Sequence, residues 1–252
     1  MGKKIWIMNH YATSMFRDKA GRHYWFAKKL EERGYAAVVF CASTYLNNNE
    51  SVDLNGKQYS VQHDGKTPFV FVKTPAYSGN GVGRVKNMAG FYFGLFKAAD
   101  AYARQDGRPD VILASSVHPL TMAAGIKIAK KIGIPCICEV RDLWPEAIFA
   151  FGKAKEDSLL GKALIRGEHW IYRNADALIF TKEGSCSRSG YSRTISGVAS
   201  AAGSPSAAGT ASAAAASVPA GAAAGAAHPA RSDSIIARVS RTASSFFIGN
   251  SS

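Results

Sequence analysis

Residues 111–140 read VILASSVHPLTMAAGIKIAKKIGIPCICEV. Val111 to Ala114 is an apolar run of strand length, Ser115-Ser116-Val117-His118-Pro119 is a turn, and Leu120 to Ile132 has the length and composition of a helix. Ile134 to Val140 is a second apolar run. Strands that are apolar on both faces and joined through a helix belong to a parallel sheet covered on both sides, with a right-handed crossover. The same alternation extends outward. Ile5 to Met8, Ala37 to Cys41, Phe69 to Val72 and Ala177 to Phe180 are further strands. Arg22 to Arg33 is a helix with His23, Phe26, Ala27 and Leu30 on one face and Gly34 as its stop, and Arg84 to Arg104 and Leu159 to Tyr172 are two more. Thr44 to Lys66 is a polar excursion without an assigned element. The expected fold is α/β, a doubly wound, Rossmann-like parallel sheet, in which ligands bind beyond the carboxyl ends of the strands, after Met8, Ala114 and Val140.

Composition divides the chain in two. Residues 1–184 read as a folded domain, whereas 43 of the last 68 residues are Ala, Ser or Gly, and those 68 contain no Leu and no Lys. Residues 185–252 are expected to lack a packed core. An uncharged stretch from Thr194 to Ala230 has Ile195, Val198 and Val218 as its only bulky apolar residues, too few for a membrane span. The tail reads either as a linker or, given the abrupt change near Gly184, as the product of a shifted reading frame.

The formal net charge is +13, of which residues 1–184 carry +9. A basic surface favours phosphate-bearing partners, among them nucleotide sugars and anionic lipid headgroups. No Lys/Arg run interleaved with aromatics and no zinc-finger or helix-turn-helix pattern is present, which argues against nucleic acid. Cys41, Cys136, Cys138 and Cys186 have neither zinc nor redox spacing, and Lys3-Lys4 precedes an apolar run too short for a signal peptide. A cytoplasmic location is expected. Gly79, Gly81 and Gly83 form G-x-G-x-G after the third strand, which is not the dinucleotide fingerprint.

Three loops carry candidate chemistry. The first, Asn9-His10-Tyr11-Ala12-Thr13 onward, enters its helix at Gly21-Arg22, where a glycine permits close approach and helix amides favour phosphate oxygens; a plain turn is the alternative. The second places His118 at a strand end, able to donate a hydrogen bond to a sugar hydroxyl or a phosphate, or else an ordinary loop histidine. The third, Glu139-Val140-Arg141-Asp142-Leu143-Trp144-Pro145-Glu146, delivers a guanidinium for phosphate, a carboxylate for hydroxyls and an aromatic face for a ring. An ion pair of Arg141 with Asp142 or Glu146 that merely fixes the turn is the competing reading.

The order N-H-Y-A-T, I-L-A-S-S-V-H-P-L-T, I-P-C-I-C-E-V-R-D-L-W-P-E-A-I and R-N-A-D-A-L-I-F-T-K-E-G resembles the N-terminal domain of family 4 retaining glycosyltransferases, nearest the bacterial branch that builds O-antigen and capsule, including fucosamine transferases. The resemblance covers about Lys3 to Gly184. It implies a GT-B fold with no metal and no cofactor, a nucleotide-sugar donor as substrate, and a lipid-linked or saccharide acceptor shaped by this domain. It further implies that Gly21 and Arg22 lie near the donor phosphates, and that His118, Arg141 and Asp142 line the cleft. The family's E-x7-E pair belongs to its second domain and is absent here, Asp233 being the only acidic residue after Gly184. Catalytic residues are therefore unassigned, and the chain alone is expected to be inactive. The basic face and the helix bearing Phe91, Tyr92, Phe93, Leu95 and Phe96 suggest peripheral contact with the inner face of the cell membrane, against the alternative that these aromatics are core. The rival readings are an acceptor-binding subunit of a two-chain transferase and a damaged reading frame without function.

Overall fold

A computed structural model describes residues 2–46, 50–79, 81–150 and 155–181. The expected tail, residues 185–252, and Cys186 lie outside the described residues. Seven strands form one sheet: β1 (Lys4–Met8), β2 (Ala36–Ala42), β3 (Tyr59–Asp64), β4 (Thr67–Val72), β5 (Val111–Ser115), β6 (Cys136–Val140) and β7 (Ala177–Phe180), in the order β3-β4-β2-β1-β5-β6-β7. All neighbours pair in parallel except β3 and β4, which are antiparallel. The strand order reverses at β1, so β1 and β5 flank the switch point at which such sheets hold ligands.

The described residues form six helices, α1 (Thr13–Asp18), α2 (Arg22–Glu32), α3 (Val82–Asp106), α4 (Pro119–Ile132), α5 (Glu146–Ala150) and α6 (Leu159–Asn174). One core joins α3, α4 and α6 to the sheet through Trp6, Phe40, Phe91, Leu95, Ile126 and Ile171. The opposite core packs α2 through Tyr24 and Ala27 against Ile7, Val39, Phe69 and Phe71. Residues that alternate along β1, Trp6 and Met8 against Ile5 and Ile7, feed the two cores, as the two-residue period of a strand requires.

The sheet differs from the expected one at its edge. The stretch read as a polar excursion contains β3, half-buried and paired to β4 from Tyr59–Val72 to Asp64–Thr67. Its polar residues suit an edge strand, where one side meets water. The aromatics of α3 are chiefly core: Phe91 and Leu95 are fully buried and Tyr92 and Phe96 partly so, while Phe93 is exposed. That decides the composition of the helix in favour of packing.

Two glycines test the packing. A Cβ on Gly125 would stand 2.6 Å from Cβ of Ala114, so α4 rests directly on β5, whereas a Cβ on Gly167 of α6 would meet nothing within 4 Å. Gly125→Ala is expected to destabilise the fold by about 1–3 kcal/mol through overpacking, and Gly167→Ala to stabilise it by roughly 0.5–1 kcal/mol through helix propensity. Thermal denaturation of both variants checks this, and equal effects of one sign would contradict the packing.

Candidate ligand-binding edge

The carboxyl ends of β1, β5 and β6 meet the start of α2 around Glu139, which is 1% exposed. Asn9 follows β1 and donates from Nδ2 to Nδ1 of His23 at 2.7 Å. The orientation of that amide follows from its own oxygen, which accepts from the backbone N–H of Tyr11. His23 in turn donates from Nε2 to Oε2 of Glu139 at 2.8 Å. Ser115, at the end of β5, donates to the same oxygen at 2.7 Å. Arg22, the first residue of α2, donates from Nε to Oε1 at 2.8 Å. A buried carboxylate needs such company, because an unpaired charge in the interior is costly.

Burial alone would raise the pKa of Glu139, but the bonds from His23 and Ser115 and the charge of Arg22 outweigh it, and the net direction is downward. Because the unfolded chain then takes up the proton first, this stabilisation is complete above the ordinary glutamate range and is lost as the pH falls through the lower folded value. Glu139→Gln is expected to cost about 1–3 kcal/mol near neutral pH. The deficit should shrink as the pH falls below the ordinary glutamate range and through the lower folded value, where the wild-type carboxylate also protonates. Denaturant titrations across pH measure this, and a deficit independent of pH would contradict the charged node.

A second network lies on the other side of the switch point. His10 stacks on Phe91, with ring centroids 4.5 Å apart. Its Nε2 is 2.7 Å from Oδ1 of Asn87, and its Nδ1 is 2.6 Å from Nε2 of His118. Asn87 spends its amide N–H groups on Oγ1 of Thr44 and the carbonyl of Pro75. Burial holds the His10 pKa down at about 3 and that of His118 well below the usual histidine value, and the Arg84 charge adds to both shifts. Both rings are therefore neutral near pH 7. His118 Nδ1 is buried with no partner among the described residues, a state that costs about 1–3 kcal/mol unless a ligand satisfies it.

The residues selected from sequence divide as follows. Arg22 joins the Glu139 node and remains 39% exposed in its side chain. Gly21 caps α2 at φ 99°, and a Cβ there would meet Met15 at 2.8 Å, so backbone geometry already requires a glycine. His118 precedes α4, whose first residue is Pro119. Arg141 is anchored by its backbone, with its N–H donating to Oγ of Ser116 at 2.9 Å. Asp142 lies exposed on the wall of a cavity of about 450 Å3, opposite Leu164, Glu168 and Trp170 of α6 and beside Trp144. Trp144–Pro145 is a cis peptide. Among the described residues, no group of three His, Cys, Asp or Glu side chains is placed to hold a metal, and no helix is long and apolar enough to cross a membrane.

Glu168 in that cavity is perturbed upward. Burial raises its pKa to about 7, the Tyr172 hydroxyl at 2.7 Å partly offsets this, and the Glu146 charge reinforces it. A carboxyl raised in the folded state loses stabilisation as the pH climbs from the ordinary glutamate value through about 7. Glu168→Gln is accordingly expected to stabilise the protein by on the order of 1–3 kcal/mol above that pH and to do little in mild acid. Denaturation at acidic and alkaline pH is the check.

Asn9, His10, His23, Asn87 and Glu139 were not selected from sequence. His23 was read as a core-facing helical residue, which its burial satisfies, and Glu139 was quoted only as the start of a loop. Both follow from one signal, a polar side chain inside an otherwise apolar strand or helix face.

An open α/β sheet with polar networks on both sides of its switch point belongs to the class of domains that bind ligands at that edge. Residues 22–186 match the glycosyl transferase 4-like domain, and the chain belongs to that family. Among solved structures it is similar to CalG4, the calicheamicin glycosyltransferase, at 10% identity and a TM-score of 0.41, over 71% of this chain and 48% of that one. The matched region thus spans about half of that protein's length. No curated protein matches the chain.

Proposed function

We propose that residues 1–184 form the acceptor-side half of a retaining, GT-B-type glycosyltransferase of cell-surface polysaccharide synthesis. The reaction moves a sugar from a nucleotide-diphosphate donor to a lipid-linked or saccharide acceptor. The observation that carries this reading is the extent of the family match, which includes Arg22, His118, Glu139, Arg141 and Asp142, though not Asn9, His10 or Gly21. The O-antigen and capsule assignment rests on the resemblance of the R-D-L-W-P-E segment alone.

Transfer requires stabilisation of a departing diphosphate and a positioned acceptor hydroxyl. In this reading Arg22 and the N-terminus of α2 face the diphosphate, with Gly21 keeping the backbone accessible. Asp142 and Arg141 orient hydroxyl groups at the mouth of the cavity beside Trp144. Since lipid-linked acceptors sit at the inner face of the cell membrane, the protein works in the cytoplasm, peripherally at that face. No nucleic acid, metal or cofactor takes part.

Two results test the proposal. Residues 1–184 alone should bind acceptor without transferring sugar, and should support transfer from nucleotide sugars when a donor-binding domain is joined to them. In that joined enzyme, Arg141→Lys and Asp142→Asn should each lower kcat/KM by about tenfold or more, a loss of roughly 1.4 kcal/mol. A rise in KM would mark ground-state contacts, and a fall in kcat would mark contacts made only in the transition state. Large shifts in Tm with unchanged kinetics would instead make the pair a lock on the Trp144-Pro145 turn.

A further inference from the structure

The second network fixes proton positions by elimination. Both amide hydrogens of Asn87 are committed to oxygens, at 2.8 Å to Thr44 and 2.7 Å to Pro75, so the Oδ1 that meets His10 is an acceptor. His10 must then carry its proton on Nε2. A neutral imidazole has one donor and one acceptor, which leaves His10 Nδ1 as an acceptor toward His118 Nε2. His118 therefore donates from Nε2, and its Nδ1 holds a lone pair. That is the atom left buried without a partner. Among the described residues, no carboxylate is hydrogen-bonded to either ring. The groups facing them are Phe91 and Tyr11, stacked or tilted against His10 at 4.5 Å, and Arg84, which donates to the Tyr11 hydroxyl at 3.3 Å.

We infer that Thr44, Asn87 and His10 are positioning residues in a relay that locks His118 as the Nε2–H tautomer, making Nδ1 a standing acceptor for a neutral hydrogen-bond donor on the ligand. This reverses the role that the sequence suggested for His118, since its one proton is already spent on His10. A diphosphate diester, which is fully ionised and offers no hydrogen at neutral pH, is rejected there by lone-pair repulsion, whereas a hydroxyl or amide N–H satisfies the atom. Resting on the glycosyl-transfer reading, the group is a sugar hydroxyl, and the diphosphate is left to the Arg22 side of the switch point. Selectivity of this kind is strong, because a site built around a buried polar atom discriminates against ligands that leave it unpaired.

The tautomer is measurable without any substrate. In the full chain labelled with 15N-histidine, long-range 1H–15N correlation should place His118 Nδ1 in the range of an unprotonated nitrogen and Nε2 in that of a protonated one, unchanged between about pH 6 and 8. Asn87→Leu removes the acceptor that fixes His10, so the two His118 nitrogen shifts should move toward each other as both tautomers become populated. If that variant does not fold, the wild-type spectrum alone decides. Dimethyl phosphate, a diester with no hydrogen to donate, should leave the His118 Nδ1 resonance in place. A wild-type His118 protonated on Nδ1, a charged ring near pH 7, or a shift of Nδ1 on adding dimethyl phosphate would overturn the relay. Failure of sugar transfer with the predicted tautomer intact would count against the glycosyltransferase reading and leave the relay standing.

Discussion

Three donors from two segments, α2 and the end of β5, converge on the carboxylate of Glu139, and most of the geometry at the carboxyl edge of the sheet depends on their meeting. Arg22 brings the start of α2, His23 brings Asn9 and with it the end of β1, and Ser115 brings the end of β5. Hydrogen bonds to a buried charge are among the stronger non-covalent contacts, and removal of one partner leaves the charge exposed to a low-dielectric interior. The node therefore does at the edge of the sheet what apolar packing does beneath it. Both cores end at this layer, with Met8 and Ala114 on one side and Ala12 on the other.

Rigidity on one side of the switch point is matched by an unsatisfied group on the other. The Glu139 carboxylate accepts from three donors, whereas the His10–His118 pair ends in an acceptor that no described residue fills. A fold tolerates such a deficit where the stability of its core is ample and a ligand supplies the missing bond. The two networks divide the edge chemically: a guanidinium and helix start suited to anions on one side, a lone pair suited to hydroxyls on the other. A glycosyl donor carries both kinds of group within one molecule.

Much of the architecture was legible because it is periodic. The strands of apolar residues and the helix from Arg22 announce themselves within a few residues of sequence. Elements that lack such a signal were missed: α1 and α5 are short, and β3 hides its pairing in a polar stretch whose partner face is β4. The site was legible only in outline. Arg22 was selected at a helix start and His118, Arg141 and Asp142 by their place after strands, but Glu139 lies 116 residues from His23, and His10 lies 108 from His118. No local pattern encodes a contact across that distance. What the sequence did contain was a glutamate at the end of a strand otherwise made of Cys, Ile and Val, and such a residue signals a buried partner.

Function at the carboxyl edge is tested most directly by hydrogen exchange of the full chain, with and without lipid-linked saccharides extracted from bacterial membranes. The account predicts slower exchange in three segments together, Asn9–Ala12, Ser116–His118 and Arg141–Leu143, with the amides of β3 and β4 unchanged. Protection confined to β3 and β4, or to the helical face formed by α3, would place the ligand elsewhere and contradict it.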